Sequence, residues 1–207
     1  MDRLRLVNLR SHLTGPFDIA LAAGECLAIT GPSGAGKSLF LRMIADLDPN
    51  QGEVFLDGVE RRSMPAPAWR SRVVYNAAEP GWWHATIAEH FGGNALQFAR
   101  DTAPKLALAP GLLAAPVVQL STGERQRMAL IRTLSLASPV LLLDEPTGAL
   151  DQESTDRVET LLRDRLAGGT TIVMVTHSDQ QAQRLGHRQL VMPLLVRRHG
   201  GDAPPTS

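Results

Sequence analysis

The sequence has a single cysteine, Cys26, in 207 residues. One thiol excludes an internal disulfide framework and fits a reducing compartment. Excess charge of either sign is missing too: 21 Lys and Arg stand against 21 Asp and Glu. That balance removes the broad basic footprint of a sequence-independent nucleic-acid binder, so no nucleic-acid partner is expected. Aromatic residues are scarce, at 4%. No run approaches the roughly 18 apolar residues of a membrane-spanning helix. The opening Met1-Asp2-Arg3-Leu4-Arg5 lacks the apolar core of a signal peptide. The expected location is therefore cytoplasmic, with any membrane attachment made through a partner. Low complexity is absent as well. Hydrophobic residues at 43% and charged residues at 20% give a globular balance.

What is present is an alternation of strands and helices. Leu4–Leu9 and Phe17–Leu21 read as strands, the second alternating Phe17, Ile19 and Leu21 with Asp18 and Ala20. Cys26–Thr30 is a short apolar strand leading into a glycine-rich loop. Leu39, Phe40, Met43, Ile44 and Leu47 behind it have helical spacing. Asp57-Gly58 predicts a tight hairpin, since it tolerates the positive φ angles of a type I′ turn. Arg72–Tyr75 reads as a further strand. From Glu79 to Val118 strand signals vanish, and Gly92-Gly93, Pro104, Pro110 and Pro116 cut the segment into short helices. Helices at Ser121–Leu136, Gln152–Ala167 and Ser178–Leu185 then alternate with strands at Val140–Leu143, Thr171–Thr176 and Leu190–Val196. Such alternation predicts an α/β fold with a mostly parallel sheet. The expected boundaries are 1–78 and 119–199 for the core, 79–118 for a helical insert and 200–207 for a frayed tail.

Gly31-Pro32-Ser33-Gly34-Ala35-Gly36-Lys37-Ser38 fits G-x-x-x-x-G-K-S in full. Its glycines let backbone N–H groups turn inward around phosphate oxygens, and the following helix offers its positive end to the anion. Lys37 is read as neutralising the β- and γ-phosphates and Ser38 as ligating Mg²⁺. The chain is thus expected to bind a nucleoside triphosphate on a P-loop NTPase core. Val140-Leu141-Leu142-Leu143 ends in Asp144-Glu145. Ligands of parallel sheets sit at the carboxyl ends of strands, which aims both acids at the phosphates. Asp144 is expected to hold Mg²⁺ through water, and Glu145 to polarise an attacking water.

Leu120-Ser121-Thr122-Gly123-Glu124 precedes that strand. Ser121 and Glu124 have capping-box spacing, which opens a helix N-terminus able to meet phosphate. Here the chain resembles the ATP-binding subunit of an ABC transporter, whose signature begins Leu-Ser-Gly-Gly. Pro146-Thr147-Gly148-Ala149-Leu150-Asp151 resembles the family segment containing the D-loop. Val175-Thr176-His177-Ser178 resembles its switch-histidine motif. The resemblance runs from about Leu4 to Val196. It implies ATP and Mg²⁺ as cofactors and a head-to-tail homodimer, or a paired ATPase subunit, with two composite sites. Lys37, Ser38, Asp144, Glu145 and His177 would come from one copy, and Ser121, Thr122, Gly123 and Glu124 from the other. Lys37, Glu145 and His177 form the implied catalytic set. Integral membrane permease subunits on separate chains are the implied partners, holding the cassette at the inner face of the cell membrane.

Three departures qualify the resemblance. The aromatic residue that stacks on adenine has no clear counterpart between Asn8 and Phe17; His12 is the best candidate, and Phe17 is expected to face the core. The glutamine loop reads Tyr75-Asn76-Ala77-Ala78-Glu79-Pro80, with Ala78 where the family has glutamine. Slower hydrolysis or altered coupling, compensation by water, Asn76 or Glu79, and ATP binding without useful turnover all stay open. Thr122 replaces the first signature glycine, and the sequence does not decide between an added hydrogen bond and crowding.

Trp82-Trp83 lie in the segment that in this family meets the permease, and aromatics anchor interfaces; packing of both into the insert is the competing reading. Arg197-Arg198-His199 reads as a solvated charge cluster, with lipid headgroups as the alternative. The Asp144–Asp151 stretch resembles a lipoprotein-release and macrolide-export branch, which favours export slightly over import. The expected function is ATP binding and hydrolysis that drives transport. The alternative is an ATP-dependent clamp or regulatory subunit with little hydrolysis, argued from Ala78 alone.

Overall fold

The computed structural model describes residues 1–195. The end of the expected Leu190–Val196 strand, the Arg197-Arg198-His199 cluster and the 200–207 tail lie outside them. Two sheets organise the chain. An antiparallel sheet joins β1 (Asp2–Arg10), β2 (Phe17–Ala22), β4 (Gln51–Leu56) and β5 (Val59–Glu60) in the order β2-β1-β4-β5. The hairpin between β4 and β5 turns at Asp57 and Gly58, with φ of 51° and 80°. Both positive values match the Asp-Gly expectation.

The second sheet is parallel. It orders β6 (Val73–Asn76), β7 (Val140–Asp144), β8 (Thr171–Val175), β3 (Cys26–Thr30) and β9 (Arg188–Val191) as β6-β7-β8-β3-β9. Every residue of β3, β7 and β8 is buried, as a sheet covered on both faces requires. The faces separate by alternation. Leu27, Ile29, Leu142, Val173 and Val175 face a core shared with the antiparallel sheet and α1 (Lys37–Ile44). Cys26, Leu141, Leu143, Ile172 and Met174 face a second core that includes α4 (Thr122–Ser135) and α5 (Gln152–Ala167). Burying a side chain such as Phe40 or Leu143 contributes about 1.5–3 kcal/mol each. Cys26 is one of these core residues, and burial with the nearby Glu25 charge pushes its thiol up to about 12.

Two elements differ from the sequence reading. Arg72 ends a short helix, α2 (Ala66–Arg72), rather than opening a strand. Pro65 and Pro67 favour such a start, and Trp69 anchors the helix by donating its indole N–H to the Ile44 carbonyl at 3.0 Å. The last strand lies earlier than expected, at Arg188–Val191, because Pro193 has no N–H to continue a ladder. Residues 79–118 add no strand to either sheet among the described residues. They hold α3 (Asn94–Thr102) and four 3₁₀ turns. Their apolar residues Ile87, Leu106, Leu108 and Leu113 join the core with α4. One more helix, α6 (Asp179–Leu185), follows β8 and is capped by Ser178, which accepts from the Gln181 N–H.

Candidate functional site

β3 delivers the chain into the Gly31–Ser38 loop, and α1 leaves it. Gly36 is the N-cap of α1, in the left-handed region at φ 83°. A side chain there would be strained and would press on the Leu195 side chain, 3.3 Å from where its Cβ would stand. The helix begins at Lys37. Lys37 is buried, and its ammonium donates to the carbonyls of Gly31 at 2.8 Å and Pro32 at 3.0 Å. The cation is therefore held inside the loop rather than out in solvent. Ala35 is buried, whereas Pro32, Ser33, Gly34 and Ser38 are exposed.

β7 delivers Asp144 and Glu145. Asp144 follows Leu142 on the face that carries α1. Its carboxylate is 2% exposed. Oδ2 accepts from the Tyr75 hydroxyl at 2.9 Å, whereas Oδ1 is buried with no partner. A buried carboxylate oxygen left unpaired is costly and suits a cation or its bound water. Burial, reinforced by the Asp144 charge, raises the Tyr75 phenol well above its ordinary value, so it stays a donor.

Glu145 is held in the left-handed region at φ 48°, strain of the kind that accumulates at working sites. Its backbone is fixed on three sides. Its N–H donates to the Val175 carbonyl at 3.1 Å. Its carbonyl accepts from the Gly148 N–H at 3.1 Å and from Gln126 Nε2 at 2.7 Å. β8 ends beside it, and His177 Nε2 lies 2.7 Å from Glu145 Oε1. The histidine side chain is 54% exposed and the glutamate 32%. A cleft of about 360 Å³ opens there, lined in part by Glu145, Gly148, Thr155, His177 and Gln181.

The Ser121 segment forms the expected capping box. Ser121 Oγ accepts from the Glu124 N–H at 3.2 Å, and Glu124 Oε2 accepts from the Ser121 N–H at 2.8 Å. The Ser121 hydroxyl, donating to Glu124 Oε2 at 2.7 Å, and then the Ser121 N–H hold the Glu124 carboxyl below its ordinary range. Ser121 and Thr122 are exposed. Among the described residues no hydrogen bond or ion pair joins Ser121, Thr122, Gly123 or Glu124 to Lys37, Glu145 or His177. The link comes one turn later. Gln126 bonds the Glu145 carbonyl and also accepts from the Ala149 N–H at 3.2 Å.

His12 is exposed. The cavity of about 270 Å³ beside its loop is lined by apolar groups including Leu13, Pro16, Phe17, Leu190 and Leu194, without His12. Phe17 packs on Phe40 with ring centroids 4.4 Å apart, on the core side as expected. Ala78 borders a cavity of about 370 Å³ with Glu79, Thr122, Arg125, Gln126 and Ala149. Asn76 does not turn toward the site: it is buried, and its Oδ1 accepts from Thr133 at 3.0 Å. Trp82 packs against the insert core, while Trp83 is 67% exposed. Arg132 lies over both rings, 4.5 and 4.7 Å from their centroids.

The sequence reading missed Gln126 and Tyr75. Alternation along β6 carried the signal for Tyr75, which lies in register with Leu142 and so shares a face with Asp144.

The ABC transporter family matches residues 15–148 of the chain. The chain belongs to the ABC transporter family. It is 38% identical over 198 residues to Protein STAR1 of Oryza sativa subsp. japonica, covering 88% of this chain and 57% of STAR1. It thus spans little more than half the length of that relative. It is 36% identical over 198 residues to the thiamine import ATP-binding protein ThiQ of Escherichia coli K12, covering 89% of this chain and 84% of ThiQ. The fold is similar to the ATP-binding cassette MJ0796 in a dimeric post-hydrolysis state bound to ADP and Pi, at TM-score 0.78 and 26% identity, covering 91% of this chain and 94% of that one. It is also similar to a bacterial Atm1-family ABC exporter with ATP bound, at TM-score 0.80 and 25% identity, covering 91% of this chain and 36% of the exporter. The cassettes of this family are P-loop ATPases, and this chain has their fold. No helix among the described residues is long and apolar enough to cross a membrane.

Proposed function

We propose that this cassette hydrolyses ATP as a head-to-tail pair and drives transport through separate integral membrane permease subunits. The observation that carries the reading is the Glu145–His177 contact of 2.7 Å, at the carboxyl ends of β7 and β8, the second of which pairs with the strand feeding Gly31–Ser38. Lys37 and the amides of its loop bind the phosphates. Glu145 takes a proton from the attacking water as the water oxygen bonds to the γ-phosphorus. The bond from that phosphorus to the bridging oxygen breaks, leaving ADP and inorganic phosphate. His177 holds the Glu145 carboxylate in place and stands beside the γ-phosphate.

The donor set fits Mg²⁺. Asp144 has a buried oxygen without a partner, and Ser38 offers a hydroxyl at the start of α1. No cluster of three or more His, Cys, Asp or Glu side chains suited to a metal occurs among the described residues, in keeping with an ion that takes its other ligands from phosphates and water. When bound, Mg²⁺ would neutralise charge on the β- and γ-phosphate oxygens.

The exposed Ser121–Glu124 helix end complements the phosphates of a second copy, which supports the paired assembly. The 79–118 insert, set into the 1–78 and 119–199 core, presents Trp83 for the permease. Through that partner the cassette is held at the cytoplasmic face of the membrane. The name of ThiQ weighs toward uptake, while the Atm1-family exporter and the Asp144–Asp151 stretch weigh toward efflux. Ala78 favours a clamp with little turnover as a second reading, against which stand Glu145 and His177. Phosphate release from purified protein with Mg²⁺ and ATP tests the main reading. Glu145→Gln should cut the rate by at least about 100-fold, and equal rates would reject the proposed base.

A further inference from the structure

Tyr75 is the third residue of β6, and its register partner on β7 is Leu142. Alternation puts its side chain on the face that bears Val73, Leu142 and, two residues on, Asp144. The ring is half-buried against the core that includes α1. Its hydroxyl reaches Asp144 Oδ2 at 2.9 Å. This leaves the carboxylate divided. One oxygen is tied to a rigid phenol, and the other is buried without a partner. A short side chain with both oxygens free has two rotatable bonds to settle; a hydrogen bond to an ionised acceptor is strong enough to choose one orientation. No neighbouring side chain on β6 shares the task. Asn76 points to the opposite face and is engaged by Thr133 at 3.0 Å. Ala78, three residues on, has no polar side-chain atom.

We propose that Tyr75 is a positioning residue that fixes the Asp144 carboxylate so that Oδ1 alone faces the metal–nucleotide complex, setting the affinity of the site for Mg²⁺-bound ATP rather than for ATP itself. The inference rests on the ATPase reading of the site. It assigns to Tyr75 a hydrogen-bonding duty toward the metal-binding acid, in a chain whose glutamine-loop position is occupied by alanine.

The test is ATP affinity by calorimetry, once with Mg²⁺ and once with EDTA, on the wild type and Tyr75→Phe. The variant should lose about tenfold in affinity with Mg²⁺, on the scale known for outer-shell partners of metal ligands, and nothing in EDTA. Equal losses in both conditions, or no loss in either, would overturn the proposal. In an Asp144→Asn background Tyr75→Phe should leave the difference between Mg²⁺ and EDTA unchanged; a further Mg²⁺-specific loss would show that Tyr75 does not act through Asp144. If the phenylalanine chain folds poorly, a ring-fluorinated tyrosine at position 75 keeps the shape and strengthens the donor. It should shift the Mg²⁺ dependence alone, and an unshifted dependence overturns the proposal. A wild-type chain that binds ATP equally well with Mg²⁺ and with EDTA would defeat the ATPase reading of Asp144 itself, a result distinct from either variant outcome.

Discussion

His177 Nε2 and Glu145 Oε1 lie 2.7 Å apart, one residue beyond the end of β7 and two beyond the end of β8. Neither position is left to side-chain rotamers alone. The Glu145 N–H is bonded to the Val175 carbonyl, and the Thr176 N–H to the Ile29 carbonyl. The backbone sets the pair's spacing, and the strained φ of Glu145 aims the carboxylate.

Removal of the proposed base with its shape retained should separate binding from turnover. Glu145→Gln is expected to trap an ATP-bound pair that the wild type forms only transiently. Size-exclusion chromatography with ATP should show the doubled mass for the variant. A profile that stays monomeric with ATP and permease present would refute the paired assembly.

Restoring the family side chain at position 78 should increase coupled turnover. The cavity of about 370 Å³ beside Ala78 has room for a glutamine. Ala78→Gln is expected to raise permease-stimulated phosphate release by a few fold at most, since it adds a positioning contact and no new base. An unchanged or lower rate would show that the alanine loop is already compensated.

A pH response should come from His90. Its Nε2 accepts from the Trp83 and His84 N–H groups at 2.9 and 3.0 Å, and its Nδ1 lies 2.9 Å from the Thr86 carbonyl. Burial, then the nearby Arg132 and His84 charges, hold it below 6.5, against the bond to Thr86. Glu89 is occupied with the Thr86 N–H at 2.7 Å. The unfolded chain therefore binds the proton more readily than the folded one, and stability falls as pH drops through 6.5. The Tm should decline as the pH is lowered from neutrality through 6.5. His90→Gln should flatten that decline, and a slope unchanged by the substitution would exclude His90 as the source.

The buried Glu159 should matter for stability. At 1% exposure it accepts from Arg184 at 2.6 and 2.9 Å, from Arg163 at 2.9 Å and from Gln181 at 3.3 Å. Burial works to raise its pKa, but the Arg184 and Gln181 bonds win and hold it down. Gln181 also bonds Thr147, two residues beyond Glu145, at 3.0 Å. Glu159→Ala would strand these partners. Because Arg184 reaches solvent, the cost belongs at the low end for a broken pair, about 3 kcal/mol, and the Tm should drop on the order of 6–12 °C. Thermal unfolding followed by circular dichroism measures it, and a shift under about 1 °C would contradict the network's role.

The placement of the Gly31–Ser38 loop between a strand and a helix, and of Asp144 and Glu145 at a strand end, was legible in the sequence because the signals are local. Glycines at fixed offsets, a lysine at a helix start and acids at the end of an apolar strand identify themselves. The capping box at Ser121 was legible for the same reason. What escaped was set by neighbours distant in sequence. Tyr75 meets an acid 69 positions away, and only pairing of β6 with β7 brings them together. Gln126 looks like a surface residue of a helix until α4 packs beneath Glu145. Helix α2 is too short for periodicity to reveal, and its reason to exist is the Trp69 bond to Ile44.

The sheet order has a mechanical consequence. β8, which leads to His177, is sewn between the strand bearing the acids and the strand feeding the phosphate loop. A tug on either neighbour is felt at the same seam. With the phosphates bound as proposed, a shift at His177 would be passed through β8 to the Gly31–Ser38 loop, so product escape and relaxation of the loop should be two readings of a single movement.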